Sequence, residues 1–90
     1  MIRSFRNKPL RRFFEGHDAR RLAVENTARV SRILRALDAA TKPADMNLPG
    51  YRFHALQGVT RWSVWVTGNW RITFGWDGAD AVDVDLEDYH

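Results

Sequence analysis

Two histidines and nearby arginines are the side chains of this sequence best suited to catalysis. His54 lies two positions after Arg52, so on an extended strand both side chains emerge on the same face. Two imidazoles brought near each other suit proton transfer near neutral pH, because one accepts a proton while the other donates one. An arginine such as Arg52 could hold a phosphate between them. The second histidine is His90, which ends the chain after Asp88 and Tyr89. Together these side chains are typical of a metal-free ribonuclease.

A structural role is the competing interpretation. A lone histidine on a strand more often makes a structural hydrogen bond, and terminal residues are often frayed. Arg71 would contact phosphate on the polar face of the same sheet, or it could pair across strands with Asp83 or Asp85, and the two uses are compatible. The residue types alone leave both roles open.

Composition excludes several other kinds of chemistry. The sequence has no cysteine, which removes disulfides and thiolate catalysis, and its three scattered histidines do not make a metal site. We therefore expect neither a metal nor a cofactor. A length of 90 residues predicts one domain spanning residues 1–90. The absence of long apolar runs predicts no membrane contact and no signal peptide, and hence a cytoplasmic protein.

Charge is distributed unevenly along the chain. The net charge is only +3, but residues 1–71 hold all 14 Lys and Arg and only five acids, whereas residues 72–90 hold six acids and no base. Twelve of the basic residues are arginine, whose planar fork suits phosphate recognition. A polyanion is the partner class that this pattern favours. The alternative is an acidic tail that folds back onto a basic body.

Two helices are predicted in the first half of the chain. Pro9 suits the first turn of a short helix that Gly16 ends. A longer helix is predicted over about Arg20–Ala39, capped by Asp18 or a neighbour. Its apolar stripe consists of Leu22, Val30, Ile33, Leu34 and Leu37.

The opposite side of that second helix is predicted to carry a ridge of arginines. Glu25 stands four residues from two of its members and would pair with both. The ridge would contact RNA phosphates or an acidic partner, or it is a solvated helix face. Its members are Arg21, Arg29, Arg32 and Arg35.

The second half of the chain alternates with the period of β-strands. Gly68-Asn69 and Asp77-Gly78 are predicted to be hairpin turns in an antiparallel meander. Met46 and Leu48, in the preceding loop, are expected to reach the core. The predicted fold class is α+β, with two helices covering one face of a mostly antiparallel sheet of four to five strands. The predicted strands are Ile2–Arg6, Tyr51–Leu56, Trp62–Thr67, Trp70–Trp76 and Ala81–Glu87. The last of them should bury Val82, Val84 and Leu86.

Several segments resemble the HigB family, the plasmid-maintenance killer branch of the RelE/ParE toxin superfamily. They are Met1–Phe5, Leu37–Thr41, Asp45–Arg52, Gly68–Phe74 and Asp83–His90, and the match runs in order through essentially the whole chain. The resemblance implies a RelE-like fold and cleavage of mRNA on the translating ribosome. It also implies inhibition by a HigA-type antitoxin with a helix-turn-helix domain. The toxin would then bind operator DNA only through this antitoxin.

The same resemblance carries functional residues onto matching positions. It implies that His54, Asp88, Tyr89 and His90 are catalytic, and that Arg71 contacts RNA phosphate. Gln57 stands where the family usually has lysine, and Arg61, in a shorter loop, could replace that cation. The predicted RNA-binding residues are Arg52, Arg61, Arg71 and the four arginines of the ridge.

The expected mechanism is attack by the substrate's own 2′-hydroxyl on the adjacent phosphate, with His54 and His90 sharing the acid and base roles. Two alternatives belong to other classes of function, since one fold hosts many activities. A ParE-like relative would bind DNA gyrase without cutting RNA. An inactive relative would only titrate the antitoxin.

Overall fold

Two helices and a four-stranded antiparallel sheet make up the structure, a computed structural model that describes residues 1–88. Tyr89 and His90 lie outside the described residues. The α+β fold class is confirmed. No helix among residues 1–88 is long and apolar enough to cross a membrane. The elements are α1 (Lys8–Gly16), α2 (Thr27–Ala39), a 3₁₀ helix (Pro43–Met46), β1 (His54–Ala55), β2 (Trp62–Thr67), β3 (Trp70–Asp77) and β4 (Asp80–Asp88).

Helix α1 follows its sequence signals. The side chain of Asn7 accepts a hydrogen bond from the backbone N–H of Leu10 at 2.8 Å, which caps the first turn, and Pro9 follows. His17 ends the helix in the left-handed conformation, with its backbone N–H donating to the carbonyl of Phe13. The predicted short helix is confirmed.

Helix α2 begins at Thr27, so its predicted start near Arg20 is wrong. Asn26 caps it by accepting from the N–H of Arg29 at 3.2 Å. Asp18, the expected cap, instead closes a local turn by accepting from the backbone N–H of Arg20, an alternative that competes with helix formation. The Arg20 guanidinium also donates to the Asp18 carboxylate, and these hydrogen bonds lower the pKa of Asp18 to about 2.

A cap substitution tests where α2 begins. Asn26→Ala is expected to lower the free energy of unfolding by about 1 kcal/mol, because it leaves an N–H of the first turn without its side-chain acceptor. Urea denaturation measures the change. Asp18→Ala is the control and should have a smaller effect, since its turn lies outside the helix; the reverse order would place the start at Asp18.

The sheet is a meander with strand order β1-β2-β3-β4. Thr67 pairs with Trp70 across the first hairpin, which confirms the predicted turn at Gly68-Asn69. In the second hairpin Asp77 pairs with Asp80, so its two-residue turn is Gly78-Ala79, one position later than predicted. Gly68 and Gly78 both have positive φ (54° and 63°) at the first turn position.

The N-terminal segment extends the sheet on the free side of β4. Ile2 bridges to Ala81 and Phe5 to Val84, both in parallel orientation, although only as isolated bridges. The backbone N–H of Ile2 also donates to the carboxylate of Asp38 at the end of α2, at 2.8 Å. The predicted first strand is therefore an edge segment that joins β4 to α2.

A β-bulge in β4 changes which side chains face the core. Thr73 pairs with Asp85 while Gly75 pairs with Val82, so β4 has one extra residue between these pairs. Asp83 takes it up with a left-handed φ of 51°. The bulge reverses the alternation before it, so Ala81 is buried and Val82 is outside the core cluster. The predicted burial of Val82 is wrong, whereas that of Val84 and Leu86 is confirmed.

The core lies between α2 and one face of the sheet. The α2 side chains at its centre contact the apolar face of β3 and β4, where Ile72, Phe74 and Val84 are fully buried. Met46 is fully buried, as predicted, but Leu48 is 39% exposed, so its predicted burial is wrong. The buried α2 residues are Val30, Ile33, Leu34 and Leu37.

Candidate active-site cleft

A cleft of about 400 Å³ opens on the side of the sheet turned away from the core. Ser63 and Arg71 line it, and they alternate along their strands with buried Val64 and Ile72, so they belong to the opposite face. Three residues predicted from the sequence meet here. The lining consists of Arg52, His54, Ser63, Trp65, Gly68, Asn69, Trp70 and Arg71.

His54 is exposed on β1, directly across from Ser63 on β2. Its Nδ1 lies 3.0 Å from the carbonyl oxygen of Arg52. A carbonyl only accepts, so we assign the proton of the neutral ring to Nδ1, which leaves the lone pair on Nε2. The hydroxyl of Ser63 lies 3.2 Å from Nε2 and 3.4 Å from Nδ1, and in this tautomer it can donate to Nε2. The imidazole is thus held with its proton-accepting nitrogen beside the cleft.

Arg52 has a backbone conformation unusual for its residue type. Its φ is 48°, in the left-handed region, and this interrupts the extended run that the sequence predicted over Tyr51–Leu56. Strand β1 is therefore limited to His54–Ala55. The same turn of the backbone brings the Arg52 carbonyl to His54. The guanidinium carbon of Arg52 lies 4.3 Å from the centre of the Trp65 ring.

Arg29, predicted as an RNA contact on the ridge, is half-buried and makes its observed contacts within the protein. One nitrogen of its guanidinium donates to the carbonyls of Gly50, at 2.9 Å, and Trp65, at 3.0 Å. The guanidinium also lies 5.2 Å from the ring centres of both Tyr51 and Trp65. Its observed contacts join α2 to the loop before β1 and to the end of β2.

The predicted ridge does not form a continuous face. Arg21 and Glu25 precede α2, so the pairing expected from helical spacing is wrong. Arg32 is exposed on the helix, and exposed Arg35 donates to the hydroxyl of Ser31.

Two matched substitutions separate the structural arginine from an exposed one. Arg29→Leu is expected to lower the free energy of unfolding by about 1–3 kcal/mol, because two carbonyls lose a charged donor. Arg32→Leu should change it by less than about 0.5 kcal/mol, as expected for an exposed position. Urea denaturation of both variants is the measurement. Equal losses would contradict the structural role of Arg29.

Arg61 lies outside the residues that line the cleft. Its guanidinium donates to the hydroxyl of Thr73 at 3.0 Å and to the carbonyl of Asp83 at 2.8 Å, and the Thr73 hydroxyl in turn donates to Glu87. Burial lowers the pKa of the Arg61 guanidinium. The side chain therefore stabilises the bulge in β4, and the structure does not bring it into the cleft as the cation expected in place of Gln57.

The strand register places the remaining predicted residues. In the register of β3 and β4, Arg71 lies opposite Glu87, Asp85 lies opposite Thr73, and Asp83 occupies the bulge. Neither of the predicted partners of Arg71 is therefore directly across from it. Asp88 is exposed and pairs with the cleft residue Trp70, which brings the end of β4 to the border of the cleft. The predicted catalytic residues Tyr89 and His90 are outside the described residues.

Sequence reasoning missed five of the eight residues that line the cleft, namely Ser63, Trp65, Gly68, Asn69 and Trp70. Ser63 and Trp65 stand at alternate positions of a correctly predicted strand, so their common face was available from the sequence. The pairing of Ser63 with His54 was not available, because it depends on the register between β1 and β2. Asn69 and Trp70 enter the cleft from the hairpin that joins β2 to β3.

Comparison with known proteins identifies a family and a curated relative. Residues 3–90 match the HigB-like toxin family, described as the RelE-like toxin of the type II toxin-antitoxin system HigB. The chain is also 37% identical over 92 residues to the Endoribonuclease HigB of Proteus vulgaris, an alignment that covers 100% of both proteins.

Proposed function

This chain belongs to the HigB-like family of RelE-like toxins from type II toxin–antitoxin systems, and on that premise we propose that it is an endoribonuclease that cleaves messenger RNA on the translating ribosome. The observation that carries the proposal is the orientation of His54. Its Nδ1 is held by the Arg52 carbonyl, so Nε2 is the nitrogen that can take a proton beside a cleft lined by two arginines.

The reaction begins at the 2′-hydroxyl next to the scissile phosphate. His54 Nε2 takes the proton of that hydroxyl, its oxygen forms a bond to phosphorus, and the bond from phosphorus to the 5′-oxygen breaks. The leaving 5′-oxygen takes a proton from the acid, a role we assign to His90 because of the family resemblance. The products are a 2′,3′-cyclic phosphate and a 5′-hydroxyl.

The other proposed residues act on charge and position. Arg71 lines the cleft and would stabilise the negative charge that develops on the phosphate. Asp88, beside Trp70 at the border of the cleft, would orient a histidine. Tyr89 would stack on a base or donate a hydrogen bond to the phosphate. The exposed arginines Arg32 and Arg35 of α2, together with Arg21, would contact ribosomal RNA.

Membership of a type II system implies an antitoxin partner. We propose a HigA-type antitoxin with a helix-turn-helix domain, through which the complex reaches operator DNA. We also propose a cytoplasmic location, where translating ribosomes are found.

Cleavage of end-labelled mRNA tests the proposal. The protein should cut mRNA bound to ribosomes much faster than the same mRNA alone, and the fragments should carry 2′,3′-cyclic phosphate and 5′-hydroxyl ends. Linear 5′-phosphate ends would overturn the mechanism. Intact mRNA, with DNA damage in cells that produce the protein, would favour the gyrase-binding alternative. Intact mRNA without growth arrest would favour the antitoxin-titrating relative.

A further inference from the structure

The stacked pair of Arg52 and Trp65 has the chemistry of a base-binding surface. We propose that the Arg52 guanidinium, supported from below by the Trp65 ring, is a platform on which one nucleobase of the bound RNA stacks. The proposal rests on the endoribonuclease function and adds a base subsite to the phosphate contacts already assigned. Guanidinium planes and aromatic rings are the two groups on which proteins stack splayed-out RNA bases, and here they form one layered unit.

The Trp65 ring is fixed before any RNA binds. Its indole N–H donates to the carbonyl of Gly68 at 2.9 Å. The Arg29 guanidinium lies 5.2 Å from the ring centre and donates to the Trp65 carbonyl at 3.0 Å. Since the ring is held through both its edge and its backbone, little conformational entropy is lost when a ligand stacks above it.

Arg52 lines the cleft with its guanidinium over the Trp65 ring. The residue is exposed, and no ion pair joins its guanidinium to a carboxylate within residues 1–88. Arg52 and His54 both line the cleft. A base stacked on the Arg52 guanidinium would therefore lie in the same cleft as the group proposed to take the 2′-hydroxyl proton.

A purely electrostatic role for Arg52 leads to a different expectation. An arginine that only contacts phosphate can be replaced by lysine with its charge retained, and removal of a base from the RNA costs the same in both proteins. A stacking arginine loses its planar surface in that exchange. Arg52→Lys keeps the Cβ atom and so adds no new strain at the left-handed position.

The test compares Arg52→Lys with the unsubstituted protein on ribosomes programmed with mRNAs that each carry one abasic nucleotide near the cleavage site. For the unsubstituted protein, kcat/KM should fall about tenfold at one abasic position, in the range that loss of one base–aromatic stack produces. For Arg52→Lys, the rate on intact mRNA should be lower and the abasic penalty at that position should disappear. Arg11→Lys, on the exposed side of α1, is the matched control and should keep the full penalty.

The outcomes separate this proposal from the function on which it rests. If the unsubstituted protein leaves intact mRNA uncut, the proposed endoribonuclease activity fails. If it cuts intact mRNA but no abasic position lowers the rate, or if the penalty is undiminished in Arg52→Lys, the platform is overturned and the endoribonuclease activity stands.

Discussion

Replacing His54 by asparagine is expected to lower the rate of RNA cleavage by about 10²- to 10⁴-fold while the fold is retained. The asparagine amide can still donate to the Arg52 carbonyl, as Nδ1 of the histidine does, but it has no group that accepts a proton. The expected loss therefore reports proton transfer rather than the local structure. Single-turnover cleavage of ribosome-bound mRNA is the measurement.

His17→Asn is the matched control for this substitution. His17 is also an exposed histidine, but it ends α1 in the left-handed conformation, which asparagine tolerates well. Its replacement should leave the cleavage rate unchanged. A His54→Asn variant that cuts as fast as the unsubstituted protein would remove His54 from the reaction and with it the observation that carries the proposed function.

Phe74→Ala is expected to have the largest effect on stability, a loss of about 3–5 kcal/mol in the free energy of unfolding. Phe74 is fully buried, and its ring lies 6.2 Å from the ring of Trp62 on β2 and 6.2 Å from that of Trp76 on its own strand. Alanine would leave a cavity between rigid rings that cannot close around it. Urea or thermal denaturation measures the change.

A surface deletion is the control for Phe74. Leu48→Ala also removes a large apolar side chain, but that residue is 39% exposed, so the loss should be much smaller. Phe74 lies opposite Trp62 on β2, and Trp62 precedes the cleft residue Ser63. Because loss of the Phe74 ring should disturb the packing of β2, it should also reduce the rate of cleavage. A loss below about 1 kcal/mol would mean that the core relaxes around the deletion, contrary to this packing.

The regular elements could be predicted because their signals are local. Pro9 after a capping Asn7, the alternation along β2 and β3, and the glycine at each hairpin act within a few residues of the structure that they determine. The start of α2 could not be predicted in the same way. Asp18 and Asn26 are both good caps, and local signals do not show that Val24, between them, is buried from a segment that precedes the helix.

The bulge in β4 shows a second limit of local patterns. Alternating valine and aspartate through residues 82–85 is what a regular strand would show, and no residue type there indicates the extra position. The bulge is held by long-range contacts, since the backbone N–H of Asp83 donates to Ser4 Oγ at 2.8 Å and its carbonyl accepts from Arg61. These contacts depend on the assembled sheet.

The candidate site was predicted in part for the same reason. Arg52 and His54 share a cleft with Arg71 because strand alternation and antiparallel pairing bring them together. Helical spacing, by contrast, misassigned Arg29, whose true partners are the rings and carbonyls of two segments far away in the sequence. A charge pattern counts arginines but does not distinguish a solvated guanidinium from one held between two rings.

The pairing of the N-terminal segment with β4 has a consequence for how the protein folds. The hairpins of the meander close over short loops, but Ser4 and Asp83, which join the N-terminal segment to the bulge, are separated by 79 residues. Closing so long a loop costs more chain entropy and is slow compared with forming a hairpin. We expect docking of this segment to be among the last steps of folding. Until it docks, the backbone of β4 remains an open sheet edge, the kind of surface through which partly folded chains associate.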